Sequence, residues 1–561
     1  MDRETGMREL AAALTRLKDH SGLSYQELAR RTFTGRTTLH RYCTGQGVPG
    51  GYDVIARFAR ECGAQPDELN TLLRSWQAAT GEATTARTEP GVEAEQGAGT
   101  GAEESPASLP AAEGPSPHRA TRRSGRHRAA VALAALSLLA GTAGSIPAGT
   151  SAPSRLPAAA ATAPAASSWA DAPVPVPRTA FGVTLNSSSG ATPTFRVGSV
   201  RLWDSETRWS QLEPRRGIYD WSTLDRLLQG TGEAGLPTLF VFGGTPGWAA
   251  PGARRAAYPE DSRAAPPDDL ADWDAFVSAL VEHARGRIEA YELWVMANHP
   301  HHFNGPTETL VEMARRASRI IRAGDPGALV VCPSVTGLWE PAAEAFVRRF
   351  AELGGYQDCD AAGVKLYQRR VQDPPETMLE AVQSAYRSFH RAGVHLPLWN
   401  TGTTQTLPLN DPLDPQRAAN HAVRFYLTGL YGRRYGLERM YFYAWGNSTL
   451  PIVLQPEGRP PTTAALYVER LQHWLAEASL TGCGRGAQVA LPENVWQCEF
   501  TMPAPGGPPS RVVVLWTDAG AAETTVGPRR AVVHDLDSGS HEVDGQHPLR
   551  ITERPVLVTY G

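Results

Sequence analysis

Apolar positions in the first eighty residues recur at helical spacing. Over 7–19, Leu10, Ala11, Leu14 and Leu17 share one face of a helix. Ser24-Tyr25-Gln26-Glu27 has the form of a capping box, a hydroxyl followed three residues later by a carboxylate. It predicts a second helix running through Arg31. After a short turn a third helix spans Arg36 to Cys43, with Leu39 and Tyr42 turned inward, and two more end near Ala78.

From 179 to 479 the pattern changes. Short apolar runs at 181–184, 200–203, 238–242, 290–296, 329–332, 362–367, 398–401 and 440–445 alternate with amphipathic stretches such as 270–285, 309–323, 342–353 and 417–431. Strand then helix, repeated eight times, predicts a (β/α)8 TIM barrel. Beyond 480 the alternation falls to period two, at 512–516, 531–535 and 555–559, with turn residues between. That predicts a small C-terminal β-sandwich.

The intervening segments have no core-forming pattern. Residues 82–128 are Glu, Ala, Gly, Pro, Ser and Thr with almost no aromatics, the composition of a disordered linker. They end in a basic cluster of Arg119, Arg122, Arg123, Arg126 and Arg128, directly before the uncharged stretch 129–146. Arginines on one side only predict a single transmembrane helix, with the N-terminus in the cytoplasm and the C-terminal domain outside the cell. The Pro/Ala-rich tract 147–178 then reads as an external stalk. The competing reading of 129–146 is an Ala-rich linker.

A chain of 561 residues holds two to four domains, here an all-α domain at 1–81, a barrel at 179–479 and a sandwich at 480–561. A net charge of −4 argues against nonspecific nucleic-acid binding by the whole chain, and none of the six cysteines has metal-ligand spacing. No cofactor or metal is expected. Cys332 and Cys359 read as small buried apolar residues, whereas Cys483 and Cys498 flank a hairpin and would pair in an extracellular domain.

The N-terminal pattern resembles the Xre/Cro-like helix-turn-helix family. The motif is carried by Leu23-Ser24-Tyr25-Gln26-Glu27-Leu28-Ala29-Arg30-Arg31, then Gly35-Arg36-Thr37-Thr38-Leu39-His40-Arg41-Tyr42, then Gly45-x-x-Val48-Pro49. Phe33 stands in the turn where the family usually has Gly. The resemblance implies a recognition helix at Arg36–Cys43, with Arg36, Thr37, Thr38, His40 and Arg41 facing a DNA operator, and a homodimer for specific binding. A protein-binding adaptor is the competing use of the fold.

The barrel region is similar to retaining glycosidases with one glutamate on strand four and another on strand seven, nearest the xylosidase-like family 39. The shared markers are Val200-Arg201-Leu202-Trp203-Asp204, Trp209-x-x-Leu212-Glu213-Pro214-x-x-Gly217-x-Tyr219-Asp220-Trp221, Phe242-x-x-x-Pro246-x-Trp248 and Tyr443-Ala444-Trp445. Where such enzymes read ELWNEPN, this chain has Glu292-Leu293-Trp294-Val295-Met296-Ala297-Asn298; where they read PLWxTE, it has Pro397-Leu398-Trp399-Asn400-Thr401-Gly402. The acid/base position is therefore Met296 and the nucleophile position Gly402.

That mechanism needs both carboxylates, so the resemblance implies a glycan-binding barrel without catalytic residues. Trp203, Trp248, Trp294 and Trp445 would stack on sugar rings, and Asn298, Tyr367, Asn400 and Asn447 would supply hydrogen bonds. Lys365 would alter the charge of the pocket. The histidines at 299, 301 and 302 have no carboxylate to complete a metal site. Three readings stay open: a membrane-anchored carbohydrate-responsive regulator of transcription, an active extracellular hydrolase with relocated acids, and a wall-binding scaffold.

Overall fold

The computed structural model describes residues 3–79, except 33, 35, 50–51, 65–67, 69–70, 73–74 and 77, and residues 173–560, except 259, 403–411, 505–506, 528–529 and 546. The N-terminal helices are α1 (Arg3–Ser21), α2 (Tyr25–Thr32), α3 (Arg36–Cys43) and α4 (Tyr52–Glu61). Ser24 Oγ accepts from the Glu27 amide at 3.1 Å, satisfying one of the free N–H groups that open α2. Leu10, Leu14 and Leu17 pack with Leu28, Leu39, Cys43, Ile55 and Phe58 in one core. Trp76 joins it and donates its indole N–H to the Pro49 carbonyl at 2.9 Å.

The expected transmembrane helix at 129–146 lies outside the described residues, as do 82–128 and most of 147–178. Among the described residues no helix is long and apolar enough to cross a membrane. The single-pass fold and its cytoplasm-to-exterior orientation are corrected accordingly. The physical reason is legible in 129–146 itself, where alanine is the commonest residue and adds little to insertion. As a helix it would also be about 27 Å long, short of a hydrocarbon core of about 30 Å.

Eight parallel strands close into a barrel: β2 (Phe181–Leu185), β3 (Ser199–Leu202), β4 (Thr238–Val241), β5 (Ala290–Glu292), β6 (Leu329–Val335), β7 (Ala361–Val364), β8 (Leu398–Asn400) and β9 (Leu437–Trp445). Closure comes from β8, which pairs with β9 on one side and β7 on the other. Helices α5 (Ser222–Glu233), α6 (Leu270–Ala284), α7 (Thr307–Gly324), α8 (Pro341–Glu352), α9 (Met378–Arg391), α10 (Pro415–Tyr431) and α11 (Thr463–Trp474) follow β3 to β9 in turn. No helix follows β2, where an eighth was expected. Backbone meets backbone there: a Cβ on Gly198 would fall 1.6 Å from the Arg178 carbonyl oxygen, and one on Gly230 of α5 would fall 1.9 Å from that of Gly190.

The C-terminal region is a seven-stranded sheet covered by a two-stranded ribbon. The sheet runs β1 (Val174–Pro175), β10 (Ser479–Arg485), β11 (Val495–Ala504), β12 (Gly507–Thr517), β17 (Val556–Tyr560), β14 (Ala531–Asp535) and β15 (Ser540–Val543). The ribbon pairs β13 (Ala521–Thr524) with β16 (Leu549–Thr552). One sheet face shares a core with the ribbon through Val495, Val513, Val558 and Ile551. The other contributes Trp496, Trp516 and Leu557 to the main core of the barrel. Between them α10 is enclosed on all sides, with every residue from Ala418 to Tyr431 buried.

One disulfide ties the C-terminal sheet and another the barrel. Cys483 and Cys498 face each other across β10 and β11 with Cα atoms 4.0 Å apart. Cys332 of β6 bonds Cys359, just before β7, at a Cα separation of 5.5 Å. These two were expected as unpaired apolar residues; neighbouring parallel strands bring them together. Cys43 and Cys62 in the N-terminal core are buried free thiols.

Candidate functional site

Inward-facing positions of the barrel strands are mostly apolar, among them Leu239, Val241, Ala290, Val331, Ala361, Trp399 and Tyr441. At the C-terminal end, where barrel enzymes place their chemistry, the interior turns ionic. Glu292 is wholly buried and its Oε2 accepts from Arg201 Nε at 3.0 Å. Its Oε1 accepts from Thr401 Oγ1 at 3.1 Å and lies 3.5 Å from Lys365 Nζ. Lys365 also donates to the Thr401 carbonyl at 2.6 Å and to its hydroxyl at 2.9 Å. Burial works to push the Glu292 carboxyl up, but Arg201 and Lys365 overcome it and hold the group below its usual range. An enclosed, ionised carboxylate cannot protonate a leaving group.

Met296 and Gly402 are the two residues expected from the sequence at the places of the lost glutamates. Met296 is buried beside Trp203 and Val295, at φ 41°, and its amide donates to Ser334 Oγ at 2.9 Å. Gly402 adopts φ 102°, a conformation that favours glycine. A Cβ there would meet Thr184 Oγ1 at 3.5 Å and Arg201 Nη1 at 3.7 Å, both ordinary contacts. Among the described residues, Arg201 Nη2 and Thr184 Oγ1 are buried without a hydrogen-bond partner.

The other acids near the mouth are hydrogen-bonded or exposed. Asp204 accepts from Tyr443 Oη at 2.5 Å and Arg208 Nη1 at 3.2 Å. Glu213 is buried, accepting from the Trp209 indole at 2.7 Å and the Gly217 amide at 2.8 Å. Glu206 and Glu340 are exposed.

Aromatic and amide side chains around the mouth fall into separate groups. Trp203 is buried against Tyr258, and Arg208 lies over the Tyr258 ring at 4.3 Å while pairing with Glu260. Asn298 locks β5 to β6, its amide donating to the Thr336 carbonyl and its oxygen accepting from the Thr336 amide, each at 2.9 Å. Tyr367 reaches the Thr336 hydroxyl at 3.3 Å, so Asn298, Thr336 and Tyr367 form one rim.

Asn400 is wholly buried, spent on the Leu366 amide at 3.0 Å and carbonyl at 3.3 Å. Trp445 is in the core, its indole donating to Gln455 Oε1 at 2.9 Å. Trp248 is half-buried; its indole donates to the Glu213 carbonyl at 2.9 Å and its ring meets Trp209 edge-on. Asn447 accepts from the Thr449 amide at 2.6 Å.

Trp294 faces outward rather than into the barrel, packing on Trp273 of α6. Residues after Glu292 leave the strand, so the inward–outward alternation stops one residue before Leu293. Of the three loop histidines, His299 is pushed down to about 4 by burial, and His302 Nδ1 lies 2.6 Å from Tyr258 Oη.

On α3, Leu39 and Cys43 are buried while Arg36, Thr37, His40 and Arg41 are exposed and Thr38 is half-buried. Tyr42, expected inward, is only half-buried. Arg36, Thr37, His40 and Arg41 thus share the exposed side of α3. Residues 9–72 match the family model described as a helix-turn-helix domain.

This region is a helix-turn-helix domain. Solved structures similar to the chain include a family 39 glycoside hydrolase from the gut symbiont Bacteroides cellulosilyticus WH2, at TM-score 0.48 and 14% identity, covering 65% of this chain and 76% of that one. A glucosidase from Croceicoccus marinus gives TM-score 0.47 at 16% identity, covering 69% and 97%. Xylanase 10B from Thermotoga petrophila RKU-1 in complex with xylobiose gives 0.37 at 14%, covering 53% and 95%. No curated protein sequence matches the chain. Within the helix-turn-helix domain, His40 lies edge-on to Tyr25 with ring centres 5.3 Å apart, which fixes it beside Arg41 on the exposed face.

Sequence reasoning missed the Arg208–Glu260–Tyr258 group, because its members lie about fifty residues apart. Arg201 carried a signal: a charged residue inside an apolar strand run needs a buried partner.

The Lys365 ammonium gives a pH test. Burial and Arg201 push it down to about 7, with Glu292 opposing. An unfolded lysine titrates near ~10.4, so between those values the unfolded chain holds the extra proton and this group makes stability rise with pH. The slope is at most about 1.4 kcal/mol per pH unit. Urea midpoints at pH 7 and pH 9 should therefore show the native chain gaining on Lys365→Met as pH rises. An unchanged gap would mean the amine titrates normally.

Proposed function

We propose that this protein is a carbohydrate-responsive regulator of transcription, in which the helix-turn-helix domain binds DNA and the barrel recognises a glycan without cleaving it. The observation that carries the reading is the pair of strand-end positions. Met296 and Gly402 occupy them, and the nearby buried acid, Glu292, is neutralised by Arg201 and Lys365. A retaining mechanism requires two carboxyl groups about 5 Å apart, one protonated and one free to attack.

Glycan recognition is supported by the resemblance of the strand-end motifs and by half-buried Asn298 and Tyr367 on the rim. DNA binding is supported by exposed Arg36, Thr37, His40 and Arg41 on one helix. A single domain reads one half-site, so a homodimer supplies specificity.

The test has two arms on the full chain. Turnover of aryl β-xylosides, glucosides, galactosides and arabinosides should be absent in the native protein. The Met296→Glu/Gly402→Glu variant should gain weak activity, held back by the positive φ at 402. Native hydrolysis abolished by Glu292→Gln would sink the non-catalytic reading. In the second arm, genomic fragments are selected for binding, and Arg36→Ala and Arg41→Ala should each weaken the complex by about 1–3 kcal/mol. Undiminished binding by both variants would remove α3 from the interface.

A further inference from the structure

Thr184 of β2 and Arg201 of β3 are register partners in the parallel pairing of those strands, so their side chains stand together. Both face the place where Gly402 has no side chain, two residues past the end of β8. A Cβ built there would have as its nearest neighbours the Thr184 hydroxyl at 3.5 Å, Arg201 Nη1 at 3.7 Å and the Tyr441 carbonyl oxygen at 3.9 Å. None of these is a clash, so the place is a cradle that a side chain would enter, and its nearest atoms are polar. Lys365 steadies the backbone just before it, donating to the Thr401 carbonyl at 2.6 Å.

The donors around this cradle are not used up. Arg201 spends Nε on Glu292 Oε2 at 3.0 Å, while among the described residues its Nη2 and the Thr184 hydroxyl have no partner. Arg201 is 2% exposed and Thr184 0%, so both groups are held out of water. A buried donor without an acceptor is costly, most of all on a charged group. Asp204, the other acid of this end of the barrel, is turned to Tyr443 and Arg208.

The chemistry of an acceptor that would meet these donors is narrow. Hydrogen bonds from a guanidinium to an anion are roughly twice as strong as those to a neutral oxygen. A doubly charged group such as a phosphate ester would set its second charge against Glu292, which Arg201 and Lys365 keep ionised. A carboxylate brings one charge and two coplanar oxygens, the shape that an arginine fork matches. The low exposure admits one functional group, with the body of the molecule that bears it left at the mouth.

We propose that this place is a carboxylate-binding site, in which Arg201 and Thr184 take from a ligand the carboxylate that Gly402 does not supply. Two sources share that chemistry, a free small carboxylate and the carboxylate of an acidic sugar. Only the second rests on the carbohydrate reading above.

Isothermal titration calorimetry of the full chain in a carboxylate-free buffer tests this. The probes are sodium formate and the methyl glycosides of glucuronic and galacturonic acid, beside their neutral glucose and galactose counterparts. A uronoside binding about tenfold or more tighter than its neutral counterpart assigns the site to an acidic sugar. Formate binding at one site per chain, with uronosides no better than the neutral glycosides, assigns it to a free carboxylate. In either case Thr184→Val, which removes only the hydroxyl, should weaken binding by about tenfold. Gly402→Glu fills the cradle from the chain itself and should abolish it. The positive φ at 402 makes that variant the more strained of the two, so Thr184→Val carries the test should it fail to fold.

Silence from formate and from both uronosides would overturn the site, as would binding undiminished by Thr184→Val and Gly402→Glu. Neutral glycosides binding as tightly as uronosides, with formate silent, would overturn the site and leave the carbohydrate reading intact.

Discussion

Replacing Arg424 with methionine should cost about 3–5 kcal/mol of folding stability. Arg424 is fully buried on α10 and makes a two-pronged pair with Glu376, Nε to Oε1 at 2.9 Å and Nη2 to Oε2 at 2.6 Å. Nη2 also donates to the Asp518 carbonyl at 3.0 Å, and Nη1 lies 3.4 Å from Glu553 Oε2. The same Glu376 accepts from the Trp516 indole at 2.7 Å. One guanidinium thus ties a barrel helix to the loop after β12 and to the end of β16.

Removing it strands a buried carboxylate, and that loss, rather than the attraction of the pair, sets the penalty. The prediction has an internal control. Arg424→Met/Glu376→Gln removes both charges and keeps an acceptor for Trp516, so it should recover much of the loss. Urea unfolding followed by tryptophan fluorescence reads both. A single variant within about 1 kcal/mol of native would show that Glu376 finds water or another partner.

The second large effect concerns the disulfides. Closing the 27-residue separation between Cys332 and Cys359 removes unfolded-state entropy worth about 3.5 kcal/mol, and the 15-residue separation between Cys483 and Cys498 about 3 kcal/mol. Cys332→Ala/Cys359→Ala should therefore lower the thermal midpoint somewhat more than Cys483→Ala/Cys498→Ala. A variant lacking all four should be indifferent to reductant. If reductant shifted that variant as much as the native chain, Cys43 or Cys62 would have to be oxidised in solution rather than the free thiols found here.

Much of the architecture was legible because burial imposes a period. The stretch 270–285 became α6 and 417–431 became most of α10, since amphipathic spacing survives any arrangement of neighbours. What escaped the pattern depends on distant residues. Trp294 was expected inward by extending the alternation of β5, but the strand ends at Glu292 and the tryptophan turns out to Trp273. Leu293 and Trp294 both join the outer core before Val295 and Met296 turn back inward, so the period of two is lost at that point.

The Cys332–Cys359 bond was illegible for the same reason, since only the pairing of β6 with β7 puts those cysteines side by side. The charge cluster was half visible. Lys365 and Glu292 stood out as ions in apolar runs, while Thr401, which bridges them, looks like any strand threonine. The burial of His421 gave no sign at all. An amphipathic helix is assumed to show one face to water, and from Ala418 onward α10 shows none because the C-terminal sheet covers it.

The pairing of Val174 with Leu480 and of Pro175 with Ser479 carries a further consequence. The strand that leads into the barrel finds its partner only about 300 residues later in synthesis. At about 5–20 residues per second, a ribosome needs roughly 15–60 s to supply it. Through that interval β1 has no neighbour, and α10, once made, has no cover on its outer side. A chain stopped after α11 would keep every barrel strand and still present a naked helix to solvent. Truncations meant to isolate the barrel should accordingly be insoluble, and the smallest portable piece runs from β1 through β17.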